Sequence, residues 1–225
     1  MATPLDLQEQ EQLDALKAFW KQYGNLITWG LVLVLAVFAG LNGWRWWQRD
    51  QAAKAGAMFE QLAQAARAGD AQRAGTIFGD LKERYARTAY AQQGALLAAR
   101  AQFERGQVDA AKASLTWAAE NAVEDEYRSV ARLRLAGLQL QAKEYDAALQ
   151  TLDGAKAPAF AALVADRRGD VLLAQGKPAE ARAAYAQARA AMDDKVEYRQ
   201  LIDAKLTALG APPAAASAAA SGAAP

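Results

Sequence analysis

From Gln22 to Trp44 the chain runs for 23 residues without a charged side chain, bounded by Lys21 and Arg45. The centre of the run, Leu31-Val-Leu-Val-Leu-Ala-Val-Phe38, is continuously apolar. A membrane-spanning helix needs roughly 20 such residues. Phe19, Trp20 and Tyr23 stand at one end, and Trp44, Trp46 and Trp47 at the other. Tyr23 and Trp44 are 21 residues apart, about 32 Å at a helical rise of 1.5 Å per residue. That spacing suits two aromatic belts flanking a hydrocarbon core of roughly 30 Å. A buried helix of a soluble protein has no reason to carry tryptophan at both ends of a charge-free run. A cleaved signal peptide is the other reading, with Val37-Phe-Ala39 as its small-residue site. It is disfavoured because Asp6, Glu9, Glu11 and Asp14 precede the run, where secretory leaders are short and basic. The expectation is an uncleaved anchor, with a tail over 1–21 and a span over 22–47.

Charge does not orient the span. Lys17 and Lys21 precede it, and Arg45, Arg49 and Lys54 follow. The margin is a single residue, and long domains translocate largely regardless of charge. Ala36 and Gly40, like Ala39 and Gly43, are small residues four apart that would let a second helix approach closely. The plainer reading is that Gly and Ala are common in spans.

Beyond Gln51 the pattern becomes a repeat. Ala74, Ala111, Ala148 and Ala181 are separated by 37, 37 and 33 residues. Five residues before each stands a turn residue: Gly69, Gly106, Lys143 and Gly176. Four residues after each stands a bulky one: Phe78, Leu115, Leu152 and Tyr185. In the later units Ala118, Ala155 and Ala188 follow three positions on. A period of about 34 with these offsets is the tetratricopeptide pattern. The first helix ends at a tight turn, a small residue admits the second helix, and a bulky one fills the gap a turn later. The alanine matches are discounted, because 59 of the 225 residues are alanine; the turn and bulky positions are not explained that way. Composition agrees with an all-α fold. Only 9 Val and 3 Ile occur, four of them between Ile27 and Val37, too few for a sheet-rich domain. Helices are predicted at 51–68, 71–85, 88–105, 108–121, 125–142, 145–155, 159–175, 178–191 and 195–209. The last is a cap, with Asp194 as N-cap and Glu197 as its box partner. Residues 51–209 thus form the repeat domain. Residues 210–225, solely Gly, Ala, Pro and Ser, read as a disordered tail.

The chain has no Cys and no His, which excludes Cys/His zinc sites, Cys–His nucleophiles and Ser–His–Asp triads. No phosphate-binding glycine loop occurs. With a net charge of +1 it is no basic nucleic-acid binder. Glu124, Asp125 and Glu126 read as a helix N-terminus favoured by the dipole. A non-enzymatic protein is expected, with no cofactor, metal or small-molecule substrate. The candidate site is the inner surface, formed by the first helix of each unit. It carries Leu96, Arg100 and Phe103, then Val130, Leu133 and Leu140, then Leu163, Asp166, Asp170 and Leu173. The face is mostly apolar and lacks a Lys/Asn set for a partner's terminal carboxylate. Either it receives an apolar segment of a partner or client, or it packs against neighbouring helices and the final helix.

The stretch Glu11-Gln-Leu-Asp-Ala-Leu-Lys-Ala-Phe-Trp-Lys-Gln-Tyr-Gly-Asn25 and the close of the span, Gly43-Trp-Arg-Trp-Trp-Gln48, resemble the YfgM-type ancillary SecYEG translocon subunits of bacteria. The resemblance covers nearly the whole chain. It implies an inner-membrane protein with a cytoplasmic N-terminus and a periplasmic helical domain, near the Sec translocon and the chaperone PpiD. It implies no catalytic residues. A scaffold of another envelope assembly complex is the rival function.

Overall fold

The computed structural model describes residues 7–193 and 195–210, with side chains from residue 11. The expected cap residue Asp194 and the tail beyond Gly210 lie outside the described residues. Among the described residues there are helices and no strands. They are α1 (Leu7–Arg67), α2 (Ala71–Tyr85), α3 (Ala89–Glu104), α4 (Val108–Asn121), α5 (Asp125–Gln141), α6 (Tyr145–Asp153), α7 (Ala161–Ala174), α8 (Pro178–Ala191) and α9 (Tyr198–Ala208), with a 3-10 turn Pro158–Phe160 before α7. The chain divides into two compact units, up to Gln51 and from Ala52.

In the first unit the apolar side chains are exposed, Leu26 at 74% and Phe38 at 65%. Such a surface is stable only when something other than water covers it. The polar side chains within the run turn back on their own helix. Thr28 Oγ1 donates to the Gly24 carbonyl at 2.7 Å, and Asn42 Nδ2 donates to the Phe38 carbonyl at 3.0 Å. Each therefore places a side-chain donor on its own helix without water. Phe19 pairs with Tyr23 and Trp44 with Trp47, each with ring centroids 5.2 Å apart.

The second unit is a tetratricopeptide-like array, in which consecutive helices from α2 to α9 pack on one another. The four register alanines, Ala74, Ala111, Ala148 and Ala181, are each 0% exposed. The bulky partners Phe78, Leu115, Leu152 and Tyr185 are buried beside them. The turn residues are all left-handed: φ is 69° at Gly69, 74° at Gly106, 59° at Lys143 and 77° at Gly176. Each allows the following amide to reach back to the helix it closes, as Gln107 N does to the Gln102 carbonyl at 2.9 Å. In the first repeat Leu81 stands where the pattern calls for a small residue, and Gly94 makes room for it. A Cβ at Gly94 would lie 2.7 Å from Leu81 Cδ2. Buried polar groups tie α3 to α4 and α5 to the segment before α7. Ser114 Oγ donates to Gln102 Oε1 at 2.8 Å, and Ser129 Oγ accepts from Ala157 N at 3.1 Å.

Several predicted boundaries differ, α7 among them, which begins at Ala161 after the 3-10 turn rather than at 159. The helix predicted to begin at 51 is instead the end of α1, with no break at that point. α6 ends at Asp153 rather than 155; Pro158 has no amide to give the Gly154 carbonyl, which instead accepts from Arg132 Nη1. α9 begins at Tyr198 rather than 195, because Asp193 Oδ1 accepts from Lys195 N at 2.9 Å and holds a turn there. Glu197 occupies the N-cap position but makes no side-chain capping bond.

Candidate functional site

The first helices of the units, α3, α5 and α7, line an open groove of about 660 Å³. Repeat geometry explains why. Each outer helix packs into its hairpin through the register alanines, which leaves one face of each inner helix free. The floor is buried core: Ala99, Leu115 and Leu138. The walls are Leu96, Phe103, Val130, Leu133, Leu140 and Leu163. Phe160, in the turn before α7, and Tyr198, the first residue of α9, also line the groove.

Eight of the ten inner-face residues expected from the sequence come together here: Leu96, Arg100, Phe103, Val130, Leu133, Leu140, Leu163 and Asp166. Asp170 and Leu173 do not line the groove. Leu173 is 41% exposed in the last turn of α7. The apolar walls divide between the two physical readings. Leu96 packs on the core that holds Leu115 and Leu135, and Leu133 and Leu140 pack on the one that holds Ala136 and Leu152. Phe103 is 40% exposed.

The acids of α7 belong to a closed cluster. Asp166 is 2% exposed. Its carboxylate receives Lys205 Nζ at 2.8 and 2.9 Å and the Tyr198 hydroxyl at 2.8 Å. Asp170 receives the same Nζ at 2.7 Å and the Tyr185 hydroxyl at 2.9 Å. Burial, and then the bond to Asp166, push the Tyr198 phenol up to about 12. Burial and the bond to Asp170 push Tyr185 up as well. The two carboxylates therefore hold α9 against α7 rather than presenting free charge.

Three arginines line the groove, two of them outside the face expected from the sequence. Arg100 pairs with Glu104 at 2.7 Å. Arg167 lies 3.8 Å from Asp170. Arg134 has, among the described residues, no carboxylate partner, and its Nη1 reaches only the Leu96 carbonyl at 3.5 Å. Burial, then the charge of Arg100, lower the Arg134 guanidinium from its ordinary value. The signal was available, since each arginine follows a groove residue by four positions: Leu96 and Arg100, Val130 and Arg134, Leu163 and Arg167.

Elsewhere, Glu124 occupies the N-cap position of α5 without a side-chain capping bond, and Asp125 pairs with Arg128 at 2.9 Å. In the span Ala36, Ala39, Gly40 and Gly43 are all exposed. A Cβ at Gly40 or Gly43 would meet no heavy atom within 4 Å.

The chain matches the tetratricopeptide repeat-like domain family over residues 17–211. It is similar to an ancillary SecYEG translocon subunit of Neisseria gonorrhoeae, with 32% identity over 207 residues, 90% of this chain and 98% of the relative. The subunit of that name from Escherichia coli is 31% identical over 182 residues, 79% of this chain and 85% of the relative. The one from Haemophilus influenzae is 30% identical over 186 residues, 81% and 89%.

Proposed function

The chain belongs to the ancillary SecYEG translocon subunits, a family with a tetratricopeptide repeat-like domain, and we propose that it is a membrane-tethered, non-enzymatic helper of protein export. The apolar helix holds it in the membrane. On this reading the N-terminus is cytoplasmic, and the repeat domain works in the periplasm beside the translocon. Its inner groove receives an apolar segment of a periplasmic chaperone, PpiD by the family resemblance, or of an emerging client.

The observation that carries this reading is the groove itself. It is open, walled by Leu, Val and Phe, and built from the face a helical-repeat array leaves unfilled. Such a surface is costly to leave wet and gains by covering. The Ala36, Ala39, Gly40 and Gly43 face would serve as the contact with other membrane helices. A scaffold in another envelope complex would use the same groove with different partners.

Photo-crosslinking in living cells separates these readings. A photoreactive residue at Phe103 should give adducts with a periplasmic chaperone or with translocating chains, and one at Gly40 adducts with translocon subunits. Adducts confined to a different envelope complex would transfer the function there. Phe103→Ala should leave the fold nearly intact, since the ring is 40% exposed, and weaken partner capture by about 1–2 kcal/mol. A collapse of the fold would make the face core and end the groove reading.

A further inference from the structure

We propose that the groove selects an apolar polypeptide segment bearing side-chain carboxylates, which it holds on an arginine ladder, Arg100, Arg134 and Arg167. The proposal rests on the groove being the binding face. The three arginines are separated by 34 and 33 residues, so each inner helix supplies one. Each lies four residues after an apolar groove residue, which puts the pair on one helical face. All three line the groove.

Their partners decide the sign of the open charge. Asp166, among the described residues the one acid that lines the groove, is closed by Lys205 and Tyr198. Arg167 Nη1 is 3.8 Å from Asp170 Oδ2, beyond hydrogen-bond reach, while Lys205 and Tyr185 both donate to Oδ1. Arg134 has no carboxylate within 4.0 Å among the described residues and stands beside Arg100. A guanidinium offers five donors, accepts nothing, and fits a carboxylate in a bidentate fork. A carboxylate laid at Arg134 would satisfy those donors and relieve the repulsion from Arg100. A basic segment would add to that repulsion, and a neutral one would gain burial alone. The chain's own residues 211–225 carry no acidic side chain, so they are not this occupant. Helices packed side by side lie roughly 8–10 Å apart. A polyproline-II segment repeats its face every three residues, or about 9 Å, so acids three apart would meet successive arginines.

The test uses the full chain in phosphatidylcholine nanodiscs and a fluorescein-labelled, C-terminally amidated peptide of repeated Pro-Leu-Glu. Its Gln and Lys counterparts are the comparisons, and anisotropy is the readout. The Glu probe should bind roughly tenfold more tightly than the Gln probe, with the Lys probe weakest, and added salt should narrow the gap. Arg134→Gln should erase the preference for Glu over Gln, and Arg134→Lys should keep part of it. Phe103→Ala should weaken all probes alike. Equal binding of Glu and Gln probes, both weakened by Phe103→Ala, overturns the acidic preference and leaves the groove standing. A preference that survives Arg134→Gln overturns the ladder. If every probe fails to bind, groove and ladder fall together. If probes bind only after residues 211–225 are removed, the tail is the occupant and the proposal falls.

Discussion

Lys143 holds a position that three glycines hold in the other units, with φ at 59° among turns at 69°, 74° and 77°. A side chain in the left-handed region costs roughly 1–2 kcal/mol, because Cβ crowds the following carbonyl. Glycine escapes that cost but loses more backbone entropy on folding. The strain is the larger effect, so Lys143→Gly should stabilise the chain by about 1 kcal/mol. A thermal melt followed by circular dichroism checks it, and an unchanged or lower midpoint would sink it. This position was legible from its offset alone, five residues before a fully buried alanine. Gly94 was not: its need to be small arises from Leu81, a contact between two helices that no local pattern encodes. Arg134 and Arg167 were missed although Arg100, at the same register of the preceding inner helix, was placed on the face, because the later helices were read for their leucines and acids.

At the level of single elements, α9 shows where a helix can be read and its attachment cannot. Its apolar stripe gives Ile202 and Leu206, both buried against Tyr185 and Leu172. Its anchoring charge, Lys205, lies 39 and 35 residues from its partners Asp166 and Asp170, a pairing that only the folded array creates. Because Asp166 is 2% exposed, Lys205→Met would leave a buried carboxylate with only the Tyr198 hydroxyl. Breaking a buried pair from one side costs roughly 3–5 kcal/mol, and loosening of α9 should relieve part of it. The expected outcome is a clear fall in melting temperature, with amide protection lost first in α9. Uniform protection across the array would show the cluster to be dispensable. The same cluster sets an alkaline limit. The Tyr198 phenol is raised from 10.0 to about 12 by burial and its bond to Asp166, so the folded state keeps this proton after the unfolded chain loses it. The stabilisation is therefore complete below pH of about 10 and is lost as pH rises towards 12. Melting temperature should fall across that window, and less steeply in Tyr198→Phe; equal slopes would remove Tyr198 from the account.

For the molecule as a whole, the open matter is which side of the membrane each unit occupies. Local physics supports a span, through an exposed apolar helix long enough to cross a membrane, with side-chain donors of Thr28 and Asn42 turned onto their own helix. It does not fix direction, because the flanking cations, Lys17 and Lys21 against Arg45, Arg49 and Lys54, differ by one, and a domain of this length translocates despite such a margin. Two features of the repeat domain suit it to the periplasm. It has no cysteine, so an oxidising compartment has no thiol to misjoin. Its apolar groove with arginines along the wall would face chains leaving the translocon before their own apolar segments are buried. The prediction is that alkaline phosphatase fused at the C-terminus is active, while a green fluorescent protein exported in its place stays dark. Replacing Arg45 and Arg49 with Gln should leave that result unchanged, since the charge margin is not what sets it. A dark phosphatase and a bright fluorescent fusion would place the groove in the cytoplasm and remove emerging clients as its occupants. A reversal only after strengthening the positive charge beyond Trp47 would show that the present margin already lies on the exporting side of the balance.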